Sequence, residues 1–169
     1  MNRWLRLLKQ RWTDDGDVHR ALPPDALQRL AQRVQASERR HSGEIRICVE
    51  AGLPLSYLWR NAPARERGIM MFGKLRVWDT EHDNGVLIYL LLADRAVEIV
   101  ADRGLNRHVP AAEWHAMAAQ MSAAFKAGRF EDGLSAAVDR VDALLRQHFA
   151  LADGERNPNE LPDQPVIVG

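Results

Sequence analysis

The residues best suited to chemistry in this chain of 169 residues lie in Trp78-Asp79-Thr80-Glu81-His82-Asp83-Asn84-Gly85 and in Asp102-Arg103-Gly104. Asp83, Asn84 and Asp102 offer two carboxylates and an amide oxygen. These are the hard donors that Ca²⁺ or Mg²⁺ takes together with backbone carbonyls and water. Arg103 adds a guanidinium suited to an anion. Ordinary turn chemistry competes with this reading: Asp and Asn fold onto nearby backbone, and Gly85 and Gly104 supply permissive dihedrals. His82, in the same turn, would carry a proton or cap the following strand.

What must position these groups is a hairpin. Val86 to Ala93 is apolar on both faces, as a central strand covered on two sides should be, and Ala96 to Ala101 alternates as a return strand. If Asp94-Arg95 is a two-residue connection, Ala93 faces Ala96, Leu87 faces Asp102 and Gly85 faces Gly104. Asp83-Asn84-Gly85 then meets Asp102-Arg103-Gly104 at one sheet end. Asp94-Arg95 is not the Asn-Gly or glycine pair that tight hairpins favour, which leaves room for a loop one or two residues longer.

Other chemistries find little support. Twenty-three basic and twenty-three acidic residues cancel, giving no overall field for nucleic acid. Cys48, the only cysteine, sits in the alternating run Ile45 to Val49 and reads as a small buried hydrophobe. The six histidines form no His-Glu-x-x-His pattern, which argues against zinc. No glycine-rich phosphate loop is present and no organic cofactor is expected. Arg65, Arg67, Arg95, Arg103 and Arg107 read as solvated helix faces more readily than as a phosphate cradle. Asp14-Asp15-Gly16-Asp17 reads as a turn, because no glutamate closes a twelve-residue calcium loop after it.

The remaining elements follow from periodicity. Met1, Trp4, Leu5, Leu8 and Trp12 form one helical stripe flanked by Arg3, Arg6, Lys9 and Arg11. Docking of that stripe on the domain is favoured over contact with an anionic membrane surface. Pro23-Pro24 opens a helix carrying Leu27, Leu30, Ala31 and Val34. Glu44 to Glu50 is a first strand, Leu53 to Asn61 a loop or short helical turn, and Pro63 starts a helix expected to turn Ile69, Met70, Phe72 and Leu75 to the core. The strand-helix-strand order makes the Glu44 and Val86 strands parallel. Pro110 opens a helix with a Trp114, Met117, Ala118, Met121 and Phe125 stripe, which Gly128 closes. A last helix carries Phe130, Leu134, Val138, Val141, Leu145 and Phe149. Residues 150–169 read as a polar tail.

The chain resembles the TPM domain family from about Leu27 to Phe149. The resemblance is carried by Gly43-Glu44-Ile45-Arg46-Ile47, Phe72-Gly73-Lys74-Leu75, Asn84-Gly85-Val86-Leu87-Ile88, Asp94-Arg95 with Val97-Glu98-Ile99, and Phe125 to Phe130 followed by Gly133-Leu134. It implies an α/β/α sandwich around a small mixed sheet covered by helices on both faces. Members of that family are reported as acid phosphatases, as divalent-metal binders, or as participants in membrane-complex maintenance. Many carry a signal peptide and a membrane anchor. Neither is legible here, so a cytoplasmic branch is expected, placed in the cytoplasm or at the inner membrane surface. Asp102-Arg103-Gly104 stands where many members have a glycine-rich stretch.

The expected organisation is thus an N-terminal basic helix and acidic turn over 1–20, a TPM-like α/β domain over 21–149 and a polar tail over 150–169. The expected function is a binding module that takes a divalent cation at Asp83, Asn84 and Asp102 and engages a protein or membrane-surface partner. A metal-assisted phosphatase with Arg103 on the anion, and a peripheral membrane module anchored through Met1 to Trp12, are the rivals.

Overall fold

The computed structural model describes residues 3–169, with side-chain surroundings from Arg6 onward. Eight helices and four strands run in the order α1 (Arg3–Trp12), α2 (Asp15–Ala21), α3 (Pro24–Glu38), β1 (Glu44–Glu50), α4 (Leu55–Trp59), α5 (Ala64–Lys74), β2 (Gly85–Leu91), β3 (Ala96–Ala101), α6 (Arg103–Asn106), α7 (Ala111–Lys126), α8 (Phe130–Phe149) and β4 (Val166–Val168). The sheet order is β3-β2-β1-β4. β1 is parallel to β2 and β4, and β2 is antiparallel to β3, so the sheet is mixed.

Alternation along the strands divides the core between two faces. Ile45, Ile47, Val49, Val86, Ile88 and Leu90 pack with Leu30, Trp114, Phe125, Leu134 and Val138 from α3, α7 and α8. Cys48, Leu87, Tyr89 and Leu91 face the other way, against Leu58 and Met71 from α4 and α5. With both faces buried, β2 has no polar side to spare, and this is why its sequence is an unbroken apolar run. The expected α/β/α sandwich is the fold observed.

Five sequence expectations need correction. The hairpin loop spans four residues, within the extra length allowed, which overturns the tight-turn register: Leu91 faces Ala96, and Val86 faces Ala101. Leu92 and Ala93 still donate to Glu50 and Ala51 of the parallel neighbour at 2.9 and 3.0 Å, so they follow β1 while β3 has yet to begin. Arg95 then turns the chain at a φ of 50°. Gly85 therefore faces Asp102 across a 2.9 Å hydrogen bond, a register two residues from the tight-turn count.

Met70 and Phe72 of α5 and Leu75 at its C-cap pack against the core in part, as expected, but the buried face is Ala64, Arg67, Gly68 and Met71, and Ile69 is exposed. The helix is rotated by a polar pull, Arg67 reaching the Glu50 carboxylate, and Gly68 lets it sit against the Tyr89 ring.

The third correction concerns α1. It docks, but not by its apolar stripe: Gln10 is buried, Arg6 and Leu7 are half-buried, and Leu8 and Trp12 point outward. Met1 and the side chains of Trp4 and Leu5 lie outside the described residues.

Fourth, the segment read as a polar tail ends in β4 and buries Leu161. Three residues of strand were too short to register as a period.

Last, the acidic segment read as a turn is instead the start of a helix, Asp15–Ala21. Asp14 caps α2, its side chain accepting from the Asp17 amide while the Asp17 side chain accepts from the Asp14 amide, a reciprocal capping box.

Candidate functional site

The sheet end where β1 and β2 begin and β3 finishes gathers the residues singled out above. Thr80 Oγ1 accepts from the Asn84 amide at 3.1 Å, closing the turn ahead of β2. Asp83 sits in the left-handed region at φ 51°, which Asp tolerates better than most residues. The two glycines serve close approach and not dihedral freedom. A Cβ on Gly85 would lie 2.0 Å from the Val77 carbonyl oxygen, and one on Gly104 would lie 2.5 Å from the carbonyl oxygens of His82 and Asp83. Gly104 can thereby donate its amide to the Asp83 carbonyl at 2.8 Å, which ties the start of α6 to the turn.

Asp83, Asn84 and Asp102 are brought to this end together, but their oxygens are differently engaged. The Asp83 carboxylate accepts from Arg103 Nε at 2.9 Å and Nη2 at 3.1 Å. That guanidinium holds the Asp83 carboxyl below the usual range. Asp102 Oδ1 caps α6 by accepting from the Arg103 amide at 2.7 Å, whereas its Oδ2 is buried and has no partner. Burial, reinforced by the neighbouring Asp83 charge, raises the Asp102 carboxyl above the ordinary value. Asn84 is fully buried; its Nδ2 donates to Ser42 Oγ at 3.1 Å and its Oδ1 has no partner. His82 is exposed on the outer side of the turn.

The donor set fits a hard cation by chemistry: two buried oxygens lack partners, and the remaining carboxylate is held by an exposed, displaceable guanidinium. Among the described residues, no three His, Cys, Asp or Glu side chains form a ready metal-ligand group. A cation here would accordingly depend on the Asn84 amide and on backbone carbonyls as well as the two aspartates.

The same end holds carboxylates the sequence reading passed over. Glu44, which opens β1 and faces Gly85, is fully buried; its Oε2 accepts from the Leu161 amide at 3.1 Å and its Oε1 has no partner. Burial pushes the Glu44 carboxyl up to about 7. Glu38, at the end of α3, accepts from the Ile45 amide at 2.8 Å, and burial followed by the Glu44 charge pushes it up to about 9. A cavity of about 340 Å³ beside Glu38 is lined in part by Asn157, Asn159 and Asp163. The available signal was an acidic residue at the head of a strand whose alternate positions, Ile45, Ile47 and Val49, are apolar.

Ser37, His41 and Asp142 also meet. Ser37 Oγ lies 2.8 Å from His41 Nε2 and donates to Asp142 at 2.9 Å, and His41 Nδ1 faces the Gly43 carbonyl at 3.1 Å. This is not a hydrolytic relay, which needs the acid on the imidazole nitrogen remote from the serine and an accessible hydroxyl. Ser37 and His41 are buried, so the group ties α3 to α8 beneath β1. Burial lowers the His41 imidazole to about 4.

At the opposite sheet end, Arg67 donates to Glu50 from Nε at 2.8 and 3.0 Å and also from Nη2, while Tyr89 donates its hydroxyl to Glu50 Oε2 at 2.6 Å. Burial works against the Arg67 charge, and the Glu50 carboxylate outweighs it, raising the guanidinium above its ordinary value. Arg67 is thus an interior ion-pair partner and not the solvated residue expected. Arg65 donates to the Ile99 carbonyl, and Arg95 to that of Lys126 at 2.6 Å. The expected arginine candidates are therefore scattered over the structure.

This fold agrees with what the chain matches. The TPM domain family model covers residues 17–144, and the chain belongs to that family. Among solved structures, the BA42 protein of the psychrophilic bacterium Bizionia argentinensis is similar at 25% identity and a TM-score of 0.73, over 86% of this chain and 94% of that one. The N-terminal domain of a P. gingivalis protein is similar at 21% identity and a TM-score of 0.60, over 78% and 83%. No curated protein matches the sequence. No helix among the described residues is long and apolar enough to cross a membrane.

Proposed function

We propose that this TPM domain is a binding module whose β1/β2/β3 end takes a hard divalent cation, Ca²⁺ or Mg²⁺, and which engages a protein or membrane-surface partner. Asp83, Asn84 and Asp102 would hold the cation. The reading rests on one observation: Asn84 Oδ1 and Asp102 Oδ2 are buried at the same sheet end without a hydrogen-bond partner. Such atoms are costly unless something supplies the missing contact. Binding would also offset the Asp83–Asp102 repulsion and compete with Arg103 for the Asp83 carboxylate. Following backbone amide shifts during Ca²⁺ and Mg²⁺ titrations tests the reading. Localised shifts at residues 79–85 and 102–104 are expected, and a titration that leaves those amides still removes the site.

A phosphomonoesterase is the second reading, favoured by the exposed Arg103 guanidinium beside both carboxylates. The cation would supply phosphate polarisation and water activation. Hydrolysis of p-nitrophenyl phosphate that disappears in Asp102→Ala would promote this reading over simple binding.

A further inference from the structure

We infer that the outward face of α1, continued by the outer face of α4, is a docking surface for an anionic phospholipid bilayer. This goes beyond the cation reading and stands on other residues at the other end of the sheet. The helix is clamped to the domain by polar groups. Arg6 donates to Asp94 at 2.9 and 3.1 Å, to Asn61 Oδ1 at 2.8 Å and to the Ala62 carbonyl at 2.9 Å, and Gln10 Oε1 accepts from the Leu53 amide at 2.7 Å. That orientation buries Gln10, leaving its Nε2 without a partner, and turns Leu8 and Trp12 outward at 58% and 83% exposure.

Burial alone would choose the opposite rotation, because covering Leu8 and Trp12 is worth more than covering a glutamine and half-covering Leu7. The clamp therefore holds an apolar stripe in solvent in a fixed pose. In the sequence, Trp4, Leu5 and Met1 continue the Leu8–Trp12 spacing toward the N-terminus. Leu55 and Trp59, one turn apart on α4, are 52% and 73% exposed. A cavity of about 560 Å³ lined by Gln10, Arg11 and Leu55 places the start of α4 beside the end of α1.

The charge around the stripe selects the occupant. Through Thr13 the chain carries Arg3, Arg6, Lys9 and Arg11 and no acidic residue. Arg6 is neutralised by Asp94, while Lys9 and Arg11 are exposed alongside Leu8 and Trp12. Of the nearest acids, Asp14 is committed to the α2 cap and Glu66 to Arg60, leaving Asp15 exposed beyond the helix. A second copy of the chain would set like charges against each other across a two-fold axis. An anionic headgroup layer satisfies the cations while its boundary region accepts Trp and Leu, the arrangement of an in-plane amphipathic helix.

The test is flotation of the full chain, in EDTA, with vesicles of phosphatidylglycerol and phosphatidylcholine against phosphatidylcholine alone. EDTA keeps the outcome separate from that of the cation site. Partition to the anionic vesicles, a blue shift of tryptophan emission and release by high salt are expected. The doubly exposed Leu8→Asp/Trp12→Asp variant should lose at least about tenfold in partition. The Lys9→Glu/Arg11→Glu variant should fold normally and lose binding to the anionic vesicles. Equal recovery from both vesicle types, an unchanged Leu8→Asp/Trp12→Asp variant, or a concentration-dependent dimer broken by that variant would overturn the inference.

Discussion

Two clusters of buried carboxylates, one built around Glu50 and one around Glu44, Asn84 and Asp102, handle their own oxygens in opposite ways. At the Glu50 end every oxygen of the buried carboxylate is taken, by Arg67 and by the Tyr89 hydroxyl. At the Glu44 end, Glu44, Asn84 and Asp102 each keep one buried oxygen without a partner. A saturated cluster has no capacity left and holds the fold. An unsaturated one carries a standing cost that a ligand can relieve. Under the proposed cation reading, the difference separates a structural cluster from a binding one without reference to residue type, since both are built from carboxylates.

The sharpest way to break this comparison is at the saturated end. Glu50→Ala leaves Arg67 charged and buried, and should cost about 3–5 kcal/mol by urea denaturation. A cost below about 1 kcal/mol would mean that the cluster is not structural.

Titration should separate the interior groups next. His41 has a folded value depressed to about 4 from an ordinary 6.5, so the unfolded chain binds the extra proton first. Its contribution is present above pH 6.5 and is lost as pH falls toward 4, by up to about 3 kcal/mol. A His41→Asn variant whose stability declines as steeply over that interval would refute the assignment.

Glu44 and Glu38 have the opposite sign. Their folded values are raised to about 7 and about 9, so their contribution is present below pH 4.5 and is lost as pH rises through those values. Glu38→Gln should therefore gain at least about 1 kcal/mol over the parent chain at alkaline pH. Identical stability curves above pH 9 would count against it.

At the unsaturated end, Asp102→Asn keeps a competent helix cap and removes a buried charge. It should shift stability by less than about 1 kcal/mol while weakening Ca²⁺ at least about tenfold, read by amide shifts. Loss of fold instead would make this end as structural as the other. The smallest effect is expected from Arg103→Ala, which frees Asp83 and should tighten the cation by about two- to fivefold. Weaker binding in that variant would make Arg103 a helper of the site and not a competitor.

Much of the architecture was legible because period and punctuation agree. Alternation marks β1, an apolar run marks β2, and Pro24, Pro63 and Pro110 bracket the helix starts. What escaped was decided by partners remote in sequence. The hairpin register depends on Leu92 and Ala93 following β1, the rotation of α5 on the pull of Glu50, and the pose of α1 on Asp94 and Leu53. Asp83, Asn84 and Asp102 were identifiable as neighbours, but the Arg103 clamp and the burial of single oxygens were not. Glu44 and the Ser37–His41–Asp142 group were passed over because Leu161 and Asp142 lie across the fold, and Glu38 because its hold on the Ile45 amide exists only once α3 and β1 are packed.

The pairing of β4 with β1 joins Cys48 to Val166 and Glu50 to Val168. During synthesis this side of β1 therefore stands as a sheet edge until the segment through Val168 has left the ribosome. Its open amides and carbonyls are then exposed to other nascent strands, and closing them must wait for a partner more than about a hundred residues downstream. Arg46, reaching the carbonyls of Pro162 and Gln164, places a charge on that edge, which discourages mispairing in the interval and afterwards fastens the returning strand.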